Sequence, residues 1–217
     1  MGEIRVDVEG AAVTASVHGD GATVVVLGHG AGGDRRAALL LRAAEALAAS
    51  GRRVVLHNFL YTEARRRVPD PPALLEATVR AVAERVRAEW GPTRLVLGGK
   101  SMGGRIASQA VAKGLGADGL VFLGYPLHPP GRPETLRDRH LPRVPCPMLF
   151  VQGTRDDFAR LDLLEPVIAG LGDRATLVRV EGGDHSYGVL KRSGRDPRDV
   201  EREVLAAVTG WLDARGC

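Results

Sequence analysis

The chain has 217 residues, is 44% hydrophobic and 26% charged, and carries a net charge of +4 with a pI near 9.5. That length suits one domain, expected over 1–217, which hides roughly 70–75% of its unfolded surface. No apolar run approaches the ~18 residues of a membrane helix, and the opening MGEIRVDVEG carries acids without an apolar core, so no membrane span and no leader peptide are expected.

The small basic excess does not point to nucleic acid. Only Lys100, Lys113 and Lys191 are lysines among the 30 basic residues, and the arginines are scattered in pairs among acids. The triple Arg65-Arg66-Arg67 is the one denser run, and a nucleic-acid face needs clustering rather than a global excess. Two cysteines, Cys146 and Cys217, make neither a disulfide framework nor a zinc site. They fit a reducing, cytoplasmic location.

In chain order, residues 4–8 and 11–17 alternate apolar and polar, as an antiparallel hairpin does. TVVVLGHG (23–30) is a β-branched run that reads as a buried strand. An Ala/Leu-rich helix is expected over 34–50, stopped by Gly51. A strand follows over 52–59. Pro71-Pro72 open a helix whose stripe is Leu75, Val79, Val82, Val86 and Trp90, closed by Gly91-Pro92.

RLVLGG (94–99) is a strand and 102–114 a helix; 119–126 and 147–153 are strands. Residues 161–171 are helical and 175–180 form the last strand. The final helix turns Val200, Val204, Val208 and Trp211 inward. Strands alternating with helices imply an α/β fold: a mostly parallel, twisted sheet with helices on both faces and an antiparallel N-terminal hairpin.

Gly99-Lys100-Ser101-Met102-Gly103 matches G-x-S-x-G. In a chain with 28 glycines the match alone is weak. Its context strengthens it, because a strand precedes and a helix follows. Such a serine stands on a sharp strand-to-helix turn facing the free N–H groups of the helix. A serine hydroxyl needs a base, and in this arrangement the acid and then the histidine follow in the chain. Of His18, His29, His57, His128, His140 and His185, only His185 lies beyond a later strand-end acid, in the glycine-rich EGGDHSYG.

GTRDD (153–157) leaves a buried strand, and Asp156 and Asp157 both qualify as the acid. Asp156, third after the turn glycine, is favoured. Asp184, adjacent to His185, is expected to make an Asx-type loop bond instead. Oxyanion donors are expected at the Met102 amide, after the nucleophile, and at the Ala31 amide, in the loop His29-Gly30-Ala31-Gly32-Gly33.

LGHGAGG, GGKSMGGR, FVQGTRD and GGDHSY together resemble the α/β-hydrolase superfamily. Within it they are most similar to the short, lidless dienelactone-hydrolase-like group, and especially to bacterial relatives of testis-expressed protein 30. The resemblance spans nearly the whole chain. It implies Ser101, Asp156 and His185 as a catalytic triad, Ala31 and Met102 as oxyanion donors, and neither metal nor cofactor. Dienelactone hydrolases proper use a cysteine nucleophile, so their substrate does not transfer. Some animal relatives serve in chromatin complexes, which keeps a non-catalytic binding module as the rival reading; a small serine peptidase is the other.

Lys100, beside the nucleophile, has two readings: a charge that favours anionic substrates, or a partner for a nearby carboxylate. Arg105 is expected to be solvated or ion-paired. The interval 127–146, where many hydrolases insert a helical cap, holds five prolines and leaves room for one short turn around 134–140. An open, shallow and capless site is therefore expected, and an aromatic content of 4% makes it mainly aliphatic. Tyr125, Pro126, Leu127 and His128 lie at a strand's carboxyl end, where they either line the pocket or only pack the loop. The expected partner is a small acyl ester or thioester, with no oligomeric state implied.

Overall fold

The computed structural model describes residues 2–217 and contains one eight-stranded sheet in the order β1-β2-β4-β3-β5-β6-β7-β8. β1 (Gly2–Val8) and β2 (Ala11–His18) form the expected hairpin. Its tip is Glu9-Gly10, both at positive φ, the two-residue turn whose twist matches that of the strands. β2 then pairs antiparallel with β4 (Arg53–His57). All later pairings are parallel, through β3 (Thr23–Gly28), β5 (Arg94–Lys100), β6 (Gly119–Leu123), β7 (Met148–Gly153) and β8 (Ala175–Val180).

Helices cover both faces. α1 (Ala38–Ala49) and α6 (Pro197–Asp213) pack Leu40, Leu47, Val200, Val204 and Val208 on one face of the sheet. α3 (Pro72–Trp90), α4 (Met102–Ala112) and α5 (Leu161–Leu171) pack Val79, Val82, Ile106 and Leu164 on the other. Continuous apolar strands such as Met148–Gly153 follow from this double coverage, since both pleat directions are buried. No helix among the described residues is long and apolar enough to cross a membrane.

The departures from the sequence pattern lie at element ends. β3 stops at Gly28, two residues early, because the His29 ring engages the Gly30 carbonyl and turns the chain. α1 begins at Ala38 rather than at residue 34. Asp34 instead accepts from the Arg36 amide and closes a turn with Ala37. A one-turn helix α2 (Leu60–Glu63) has no counterpart in the sequence reading, being too short to carry a period. In 127–146 the only helical piece among the described residues is a 3-10 turn at Leu141–Arg143, just after the expected 134–140, with Pro142 in its first turn. No helical cap forms.

The nucleophile turn depends on close backbone contact between β3 and α4. A Cβ placed on Gly103 would come within 2.2 Å of the Gly28 carbonyl oxygen. Gly103→Ala is therefore expected to lower stability by about 1–3 kcal/mol, as overpacking against rigid backbone does. Urea denaturation of the two proteins measures the difference, and an unchanged midpoint would refute the tight contact.

Candidate active site

Ser101 stands between the last residue of β5 and the first of α4, with φ 50° and ψ −114°. For a residue with a Cβ this conformation costs on the order of 1–3 kcal/mol and persists only when its surroundings enforce it. The Ser101 amide donates to the Leu123 carbonyl at 3.1 Å, and the Arg105 amide donates to the Ser101 carbonyl at 3.1 Å. The side chain is thereby lifted off the carboxyl edge of the sheet, where open α/β sheets bind ligands.

His185 reaches Ser101 from the loop after β8. Its Nε2 lies 2.8 Å from Ser101 Oγ, and its Nδ1 lies 2.7 Å from Asp156 Oδ2. A carboxylate oxygen accepts, so Nδ1 carries the proton and the Nε2 lone pair faces the serine hydroxyl. The structure thus brings Ser101, His185 and Asp156 into one hydrogen-bonded series. Asp156 is buried and Asp157 is exposed, and no bond joins Asp157 to His185 among the described residues.

Three neighbours fix this series, and only one of them figured in the sequence reading. Gln152, fully buried on β7, donates through Nε2 to Asp156 Oδ2 at 2.5 Å and accepts the Tyr125 amide at 2.8 Å. It couples the acid turn to the end of β6, and a single amide in the apolar run MLFVQG is the signal that points to it. Phe158 stacks on the His185 ring at 4.2 Å, and its own amide donates to Asp156 Oδ1 at 2.7 Å.

Lys100 is the third. Its Nζ donates to the His185 carbonyl at 2.6 Å. Of the two sequence readings, the carboxylate partner is not found: the ammonium is tied to a backbone carbonyl, while Lys100 itself lines the cleft beside Ser101. Arg105 is half-buried: its Nε lies out of solvent without a partner, and burial lowers its pKa.

The histidine loop is closed by Asp184, whose Oδ1 accepts the Ser186 and Gly188 amides at 2.8 Å each, the Asx-type role expected of it. Tyr187 anchors the loop inward by donating its hydroxyl to the Val151 carbonyl at 2.9 Å. The acid turn and this loop are zipped together, with the Arg155 amide on the Gly183 carbonyl and the Gly182 amide on Thr154 Oγ1.

Opposite the histidine, the loop after β3 packs on the serine. A Cβ on Gly30 would lie 3.6 Å from Ser101 Cβ. His29 holds that loop: its Nδ1 faces the Gly30 carbonyl at 2.8 Å, and its Nε2 accepts the Phe59 amide at 3.3 Å. Burial lowers the His29 pKa, in keeping with this neutral, single tautomer. Among the described residues the Ala31 and Met102 amides have no backbone acceptor. Met102, as the first residue of α4, owes its free N–H to helix geometry.

Ser101, His185 and Ala31 share a cleft of about 360 Å³, walled by Ala37, Leu39 and Leu40 on one side and Phe158 on the other. Tyr125, Pro126 and His128 do not reach it. Tyr125 is fully buried against Phe122 and Phe150 and donates its hydroxyl to the Arg137 carbonyl. Pro126 is buried beside it. His128 accepts the Arg160 amide and binds the Pro129 carbonyl. These residues pack the loop, which corrects the pocket-lining expectation: the chain turns inward as soon as β6 ends.

A capless, mostly parallel sheet carrying a serine at the turn after its central strand defines an α/β hydrolase. The chain belongs to the α/β-hydrolase domain family, whose model matches residues 21–213. Among solved structures it shares its fold with a lidless α/β serine hydrolase from Xanthomonas campestris. The two are 23% identical with a TM-score of 0.77, over 97% of this chain and 94% of that one. A dienelactone hydrolase from Anabaena variabilis matches at 18% identity and TM-score 0.77, over 97% and 95%. A cold-adapted esterase from an Arctic intertidal metagenomic library matches at 20% and 0.72, over 98% and 92%.

Burial lowers the Lys100 pKa from 10.5 to about 8, against the opposing pull of Asp156 and Asp184. The folded chain therefore releases this proton at lower pH than the unfolded chain. Between those two values the unfolded state binds more protons, so Lys100 makes stability rise with pH across that window. Urea unfolding of the native protein and of Lys100→Met, at pH 7 and pH 10, is expected to show the difference moving in favour of the native protein at the higher pH. A difference that stays flat would mean that the ammonium is not desolvated.

Proposed function

We propose that the protein is a serine hydrolase of small acyl esters or thioesters, built as one catalytic domain over 1–217. The observation that supports this best is the unbroken series Ser101 Oγ, His185, Asp156, with contacts of 2.8 and 2.7 Å, on a serine held at φ 50°. The serine hydrolase and esterase among the structures of the same fold agree with this reading.

The reaction follows from the positions of the groups. Ser101 Oγ attacks the acyl carbon as its proton passes to His185 Nε2. The carbonyl oxygen, now negative, is received by the Ala31 and Met102 amides. Asp156 holds Nδ1–H and stabilises the imidazolium without taking its proton. His185 then protonates the departing alcohol or thiol, leaving an acyl-Ser101 ester. Water, deprotonated by the same Nε2, releases the acid and restores the serine.

A binding module would not need this arrangement. Backbone strain at Ser101, a buried carboxylate on the imidazole and a loop of free amides each cost stability, and only turnover uses them together.

Steady-state hydrolysis of p-nitrophenyl esters and acyl thioesters tests the assignment. Ser101→Ala is expected to abolish turnover, and Asp156→Asn to lower kcat by about a thousandfold or more, as loss of the tautomer-fixing acid does. Asp157→Asn should stay near the native rate. Comparable loss in Asp157→Asn, with Asp156→Asn active, would reverse the choice of acid.

A further inference from the structure

Beside the cleft lies a second cavity of about 480 Å³. It is walled by the loop residues Gly32 and Gly33 and by the segment that follows β4, including Tyr61, Arg65, Arg66 and Arg67, with Arg36 across from them. Gly33 and Ala37 belong to the walls of both cavities, so the two are neighbours across that stretch of chain. The arginine triple noted in the sequence is thus placed next to the nucleophile's cleft by the fold.

The charge in this cavity is largely unmatched. Arg66 pairs with the buried Asp70 at 2.5 Å. Arg36, Arg65 and Arg67 have no carboxylate partner among the described residues, and Asp34 is the one acid on the wall. Nor are the arginines on a loose tail. Asp70 also accepts the Tyr61 amide at 2.8 Å, the Arg66 amide returns to the Tyr61 carbonyl at 2.8 Å, and Arg65 is held at φ 54°.

The second, independent observation is Tyr61. Only 1% of it is exposed, it lines the cavity, and its hydroxyl is buried without a hydrogen bond of normal length, its nearest polar neighbours being the Thr62 side chain and the Gly32 backbone. A buried phenol without a partner costs about 1–3 kcal/mol, and a hydroxyl donor is satisfied by an anionic oxygen. Burial raises the Tyr61 pKa, so it remains a donor. Guanidinium forks bind carboxylate or phosphate through paired N–H groups.

We propose that this cavity is an anion subsite, in which Arg36, Arg65, Arg67 and the Tyr61 hydroxyl hold a carboxylate or phosphate group of the substrate while its acyl carbon lies at Ser101. This rests on the hydrolase reading for its link to turnover. The site itself stands on the cavity.

Two readouts separate the possibilities. The first is calorimetric titration of the folded protein with inorganic phosphate and, separately, with glutarate. Saturable binding of at least one is expected, lost in the triple variant Arg36→Gln, Arg65→Gln, Arg67→Gln and weakened about fivefold in Tyr61→Phe. Thermal unfolding should show little change in Tyr61→Phe, because its hydroxyl makes no hydrogen bond of normal length. Whichever ion binds identifies the group.

The second readout is a ratio of kcat/KM values at low salt. If glutarate binds, the p-nitrophenyl monoester of glutaric acid is compared with the neutral valerate ester. If phosphate binds, a thioester of a phosphate-bearing thiol is compared with the same thioester lacking the phosphate. The ratio is expected to favour the anionic substrate and to fall about tenfold or more in the triple variant, about 1.4 kcal/mol or more of lost recognition.

Binding of neither ion, or a ratio the same in both proteins, overturns the subsite; turnover of the neutral esters would then leave the hydrolase reading in place. Ion binding that the triple variant abolishes, in a protein that turns over no ester, keeps the anion site and removes the hydrolase reading.

Discussion

The active-site geometry depends on the turn at Ser101. A serine at φ 50° is unfavourable alone, and the chain sustains it by pressing three stretches of backbone together where side chains would not fit. Gly99 takes φ 146° against Gly28, and Gly103 brings the first turn of α4 onto the same Gly28 carbonyl. Once β3, β5 and α4 are locked in this way, the oxyanion loop after β3 and the serine after β5 cannot move independently. Their relative placement is a property of the sheet rather than of flexible loops.

The remaining groups are brought to this fixed point by polar links among strand ends. Gln152 ties the acid turn to the end of β6, and Lys100 ties the residue before the nucleophile to the carbonyl of the base. His29 ties the oxyanion loop to the segment after β4. The Gln152 links and the His29–Phe59 link are buried, where a hydrogen bond is stronger and an unmade one costlier than at the surface. The same His29 contact brings α2 and its arginines beside the cleft, so the support of the oxyanion loop and the walls of the basic cavity share one segment.

The alternation of strands and helices, the two helical faces and the hairpin were legible because they follow from hydrophobic period and turn residues. Ser101, Asp156 and His185 were legible as a set because each follows the carboxyl end of a parallel strand, and chain order limits which ends can meet. Tyr125, Pro126 and His128 follow such an end too, yet they turn into the core. Strand-end position says that a residue is near the ligand edge; the path of the next loop decides whether it faces the cleft. The carboxylate partner considered for Lys100 failed for a related reason: its hydrogen-bond partner is a backbone carbonyl 85 positions away, which no side-chain pattern encodes. Helix α2 and the cavity it walls were hidden because four residues carry no period.

Reaction with a fluorophosphonate, followed by peptide mapping, addresses the nucleophile most directly, because the reagent needs the activated hydroxyl and the oxyanion donors at once. One adduct per chain on Ser101 is the predicted result, lost when His185 is replaced by alanine in a protein that still folds. An unlabelled folded protein, or an adduct on any other serine, would contradict the account.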